Sequence, residues 1–118
     1  MRFDPDALDR RDAGAVRALL PLVRRINAYY MHLRREGTEH LERVAGEPAL
    51  FVGNHNGGIT GPDVACTLGT LWETFGPEHP TYALAHDFAM RQLRAVGREI
   101  HPYGALAGSP GNALRALA

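Results

Sequence analysis

The chain contains no lysine: all 13 basic residues among its 118 are arginine, and 13 acidic residues balance them to a formal net charge of zero. A general nucleic-acid binder is usually basic overall, so that class is disfavoured. Arginine without lysine reads as coding bias, although a guanidinium also suits two-point binding of phosphate and carboxylate. Cysteine is almost absent too. Cys66 stands alone, so no internal disulfide can form, which fits a reducing compartment. No clustered Cys or His set of the usual zinc kind exists. Long apolar runs are also missing; none approaches the roughly 20 residues a bilayer-spanning helix needs. Residues 1–12 are polar and acidic and lack the basic-then-apolar layout of a secretory signal. These absences lead to the expectation of one cytoplasmic domain, soluble or peripherally bound to a membrane.

What is present is patterned. Residues 1–12 read as a loose lead-in. Over 13–35, Val16, Leu19, Leu20, Val23, Ile26, Tyr30 and Leu33 recur at three- and four-residue steps, which predicts a helix. Asp12 suits its N-cap and Gly37 its C-terminal stop. Pro21 inside the pattern predicts a kink or two abutting helices. The opposite face carries Arg17, Arg24, Arg25, Arg34 and Arg35. Two readings fit that face: an ordinary solvated surface, or a helix resting on anionic lipid head groups. Residues 37–48 read as a short connection with room for one strand within 39–44, and a buried strand is expected at 49–53, an apolar run between Pro48 and a Gly/Asn cluster. A helix should run from Pro62 or Asp63 to Phe75 and end at Gly76-Pro77. A second buried strand is expected at 81–85, a helix from 86 to 96 stopping at Gly97, and a third short strand at 99–102. Ser109-Pro110 should open a last helix.

Strands separated by helices define the expected fold: an α/β layered domain with a mainly parallel sheet flanked by helices. The division is 1–36 as an amphipathic helical segment and 37–118 as the main domain. Three short strands make a thin sheet with an unprotected edge, and the last helix shows no C-terminal stop signal. The chain is therefore expected to be the front part of a larger domain.

His55 follows the expected strand at 49–53 and enters a loop rich in glycine. Gly57, Gly58 and Gly61 let a ligand approach the backbone closely. Asp63 stands at the start of the next helix. Across such a turn Asp63 can accept from one imidazole nitrogen, leaving the other as a base. That is a triad without its serine, which suggests a substrate that supplies its own hydroxyl. The plainer reading is that His55 caps a strand end and Asp63 caps its helix. His86 is expected to be a strand-end or cap residue, His101 to be structural, Cys66 a buried thiol, and Trp72 and Phe75 core.

Phe51-Val52-Gly53-Asn54-His55-Asn56-Gly57-Gly58, followed by Asp63, resembles the first signature block of the lysophospholipid/glycerol-phosphate acyltransferases. Patterns around Tyr82 to His86, Val96 to Pro102 and Ser109 to Ala113 are compatible, so the resemblance covers roughly 37–118. It implies a glycerolipid acyltransferase-like fold in which His55 takes the proton from an acceptor hydroxyl. That hydroxyl attacks the thioester of acyl-CoA or acyl-carrier protein. Asp63 would orient His55, and Asn54, Gly57, Gly58 and Thr60 would bind substrate. No metal or cofactor is implied; the partners are the acyl thioester, a lysolipid or glycerol-phosphate acceptor, and a membrane surface, as in phospholipid biosynthesis. Two departures stand out. The family's Asp would fall at Thr60, and the family's Glu-Gly-Thr-Arg-like turn is missing. The alternatives are a non-catalytic lipid- or thioester-binding remnant and a hydrolase in which His55 activates water.

Overall fold

The computed structural model describes residues 2–55 and 62–118. They form an α/β fold that is mostly helical, with a two-stranded parallel sheet. Two compact units are present, Met1–Val16 with Pro80–Ala118, and Arg17–His79. The expected boundary after residue 36 lies inside the second unit.

The first unit holds the sheet. Strand β1 (Ala83–Ala85) pairs in parallel with β2 (Ala105–Ala107), and Leu84 faces Leu106 in the register. Between them come a wide turn, Phe88–Gln92, and α3 (Arg94–Ile100). All three residues of β2 are buried, as a strand covered on both faces should be. Gly104 leads into β2 at φ 97°, and a Cβ there would stand 2.5 Å from the Thr81 carbonyl oxygen. Only glycine fits both demands.

The expected strand at 99–102 is not formed. These residues end α3 and make a short 3-10 turn, His101–Tyr103. Pro102 has no N–H to give to a ladder, and the strand begins after the Gly104 turn instead. Gly97 does not stop α3 either. It lies within the helix, where a Cβ would come 2.9 Å from the Met90 carbonyl and 3.0 Å from Phe3. The glycine serves close packing.

The lead-in is not loose. The Ala107 N–H donates to the Pro5 carbonyl at 3.1 Å, so the N-terminal segment lies along β2. Phe3 meets His101 edge-on, with ring centres 5.4 Å apart. Asp6 accepts from Asn112 Nδ2 at 2.7 Å and from Arg91 Nη2 at 2.9 Å. The Asn112 hydrogen bond, joined by Arg91, holds the Asp6 carboxyl below its ordinary range. Ser109 caps the last helix, α4 (Pro110–Leu117), by accepting from the Asn112 N–H at 3.0 Å.

α1 (Ala13–Arg25) begins under an Asp12 cap, whose Oδ1 accepts from the Gly14 N–H at 2.8 Å. It runs through Pro21 as one continuous helix. In the second unit it widens into a π turn, Ile26–Tyr30, closed by the Met31 N–H on the Ile26 carbonyl. His32 then adopts φ 50°, and the Leu33 N–H returns to the Asn27 carbonyl. The helix thus ends short of residue 35, at a histidine in the left-handed region that histidine visits more readily than most residues.

α2 spans Pro62–Phe75 and is ended by Gly76 at φ 88°. At Gly69 a Cβ would meet Asn27 Nδ2 at 2.7 Å and Val23 Cγ1 at 2.8 Å, so this glycine sets how closely the two helical segments approach. Trp72 is 3% exposed and belongs to the core. The strand expected at 49–53 is not formed, and the connection before it holds none. Thr38–Val44 is a 3-10 helix. Residues 49–53 form no strand, and Leu50, Phe51 and Val52 are exposed. A strand needs a neighbour for its backbone groups, and both strands of the sheet belong to the other unit.

Candidate active site

His55 Nδ1 and Asp63 Oδ2 are 2.8 Å apart. Asp63 lies in the first turn of α2, where a carboxylate also complements the helix dipole. An ionised carboxylate can only accept, so Nδ1 donates and carries the proton of the neutral ring. Nε2 is left as the basic nitrogen. The His55 side chain is 60% exposed and that of Asp63 28%. A base fixed in tautomer and open to solvent can take a proton from a hydroxyl or a water.

No strand leads into His55, so the histidine does not sit at the carboxyl end of a sheet strand. It sits at the end of an exposed segment without regular secondary structure and is tied to a helix start. Asn54 belongs to that segment and is exposed. Gly57, Gly58, Gly61 and Thr60, expected to shape the loop or bind substrate, lie outside the described residues.

The remaining single residues make local contacts. His86 Nδ1 accepts from the Phe88 N–H at 3.0 Å and so caps the turn after β1. His101 is 4% exposed and donates from Nε2 to the Ala7 carbonyl at 2.8 Å. Cys66 is half-buried, its thiol 3.6 Å from Asn27 Oδ1. Among the described residues no group of three or more His, Cys, Asp or Glu could hold a metal ion, and no helix is long and apolar enough to cross a membrane.

One cluster was not legible. Arg24 Nε and Arg35 Nη1 donate to the two oxygens of Glu73, at 3.0 Å and 2.6 Å. Burial pushes the Glu73 carboxyl up, but Arg35 and Arg24 together bring it below its ordinary value. Arg17 is paired with Glu78. Three of the five arginines on the expected polar face are thus engaged in ion pairs. The only sequence signal was the arginine spacing; nothing in it pointed to Glu73, ten residues after Asp63.

No family model matches the chain, and no curated protein or solved structure matches it.

Proposed function

We propose that the chain is a glycerolipid-type acyltransferase, with His55 as general base and Asp63 as its orienting partner. The observation that carries this reading is the 2.8 Å contact between His55 Nδ1 and Asp63 Oδ2. The order of residues around it, Phe51 to Gly58 and then Asp63, supports the same choice by resemblance. The layered acyltransferase architecture is part of this proposal, as are a cytoplasmic setting and peripheral membrane association.

In the proposed step, Nε2 accepts the proton of an acceptor hydroxyl as its oxygen attacks the carbonyl carbon of an acyl thioester. The carbon–sulfur bond then breaks, and the proton passes from the imidazolium to the leaving thiolate. Asp63 stabilises the imidazolium formed between the two transfers. The acceptor would be a lysophospholipid or glycerol phosphate, and the donor acyl-CoA or acyl-carrier protein.

Exposure of His55 favours a second reading, in which water replaces the lipid hydroxyl and the thioester is hydrolysed. One assay separates them. The protein is incubated with long-chain acyl-CoA, with and without a panel of lysolipids and glycerol phosphate, and the acyl products are resolved. Acylated lipid supports the transferase. Free fatty acid alone, unchanged by acceptor, supports the hydrolase, and no turnover of any acyl-CoA contradicts both.

A further inference from the structure

Arg24, Arg35 and Glu73, with Asn27, Ala28 and Leu33, line a cavity of about 260 Å³ in the second unit. We infer that this cavity binds the phosphate end of a pantetheine-linked acyl donor, with Arg24 and Arg35 as its ligands. The inference rests on the acyl-transfer reading of His55.

Charge is the first argument. Two guanidiniums face one carboxylate, which leaves a net positive site. Each guanidinium has five N–H donors in a planar fork, and Glu73 takes one from each. The others have the geometry that suits a phosphate. Glu73 also holds both arginines in place, so less side-chain freedom is lost when an anion arrives. Asn27, 2% exposed, contributes wall rather than a ligand, because its amide is engaged by the Ala65 carbonyl and the Cys66 thiol. The cavity is slightly smaller than the roughly 300–1,000 Å³ of a whole-ligand pocket, so it suits a head group.

Length decides which substrate it serves. Glu73 lies ten residues along α2 from Asp63, about 15 Å at the helical rise, and about 80° around the axis. In glycerol phosphate the phosphorus is at most about five bonds from a hydroxyl oxygen, roughly 6 Å at peptide-like bond lengths. An acceptor poised at His55 cannot reach this cavity. In a pantetheine thioester about thirteen bonds separate sulfur from phosphorus, and at three bonds per extended residue they span roughly 15 Å. The donor arm matches the distance.

Calorimetric titration of the full chain tests this with two probes, coenzyme A and pantetheine, which lacks the phosphate. Coenzyme A should bind at least about tenfold more tightly than pantetheine, and Arg24→Gln or Arg35→Gln should weaken it by about tenfold to a hundredfold while leaving pantetheine unchanged. Glu73→Gln guards against a merely structural role: it keeps an acceptor for the arginines and removes a negative charge, so it should tighten coenzyme A. Arg25→Gln, exposed on the same helix, should change nothing, and thermal melts confirm folding. His55→Ala should keep coenzyme A affinity, which separates this claim from catalysis. Equal affinity for the two probes, weakening by Glu73→Gln, or unchanged coenzyme A affinity in folded Arg24→Gln and Arg35→Gln overturns the inference and leaves the role of His55 standing.

Discussion

Two histidines each meet one oxygen at 2.8 Å, His101 on the Ala7 carbonyl and His55 on the Asp63 carboxylate. His101 is buried at 4% exposure, whereas the His55 side chain is 60% exposed. The first ring satisfies a backbone carbonyl and fills space beside Phe3. The second is tied at Nδ1 to a carboxylate while most of its side chain faces solvent. Equal distances therefore stand in different surroundings, set apart by burial and by the charge of the acceptor. The units around them differ in the same sense. Around His101 the chain is locked by a buried strand and by the Asp6, Arg91 and Asn112 cluster. Before His55 it leaves Leu50, Phe51 and Val52 exposed.

The contrast is broken most strongly in the packed unit. Leu106 is 1% exposed at the middle of β2, and Leu106→Ala should cost about 2–5 kcal/mol in a denaturant titration. His101→Ala should cost about 1–3 kcal/mol, because it strips a partner from the Ala7 carbonyl. In the second unit, Gly69→Ala sets overpacking of about 1–3 kcal/mol against a helix-propensity gain of about 1 kcal/mol. A net loss of roughly 1 kcal/mol is expected in thermal melts. Acid acts on both units. Asp6 and Glu73 have depressed values in the folded state, so their stabilisation is present above the ordinary carboxylate value near about 4 and is lost as pH falls below it. A pH series of melts should show this acid limb shrink in Asp6→Asn and in Glu73→Gln. The smallest effect is expected at His55: His55→Ala should change stability by no more than about 0.5 kcal/mol.

Local signals were legible where they act locally. The bounds of α2, its Gly76 stop, the Asp12 cap and the Ser109-Pro110 opening of the last helix followed from proline, glycine and capping residues whose effect reaches only one turn. The approach of His55 to Asp63 was legible because both flank one loop. The strand at 81–85 was legible from its apolar run and contains β1; the others were harder. Ala105-Leu106-Ala107 is too short for its alternation to register, whereas Ala49-Leu50-Phe51-Val52-Gly53 has the composition of a strand but lacks a neighbour to pair with. Gly97 was misread because a glycine that ends a helix and one that admits a neighbouring backbone look alike in sequence. The grip of Arg24 and Arg35 on Glu73 joins residues 49 and 38 positions apart, and no local pattern encodes such a pairing.

The central claim is tested most directly by the acyl-transfer rate of His55→Ala against wild type, with acyl-CoA and the best acceptor, on protein shown by melting to be folded. A positioned base contributes about 10²–10⁴-fold, so the rate should fall by that factor. Asp63→Asn should fall by about 10²-fold, the lower end of the same range. Equal transfer rates for folded wild type and His55→Ala would contradict the account and leave a lipid- or thioester-binding role in its place.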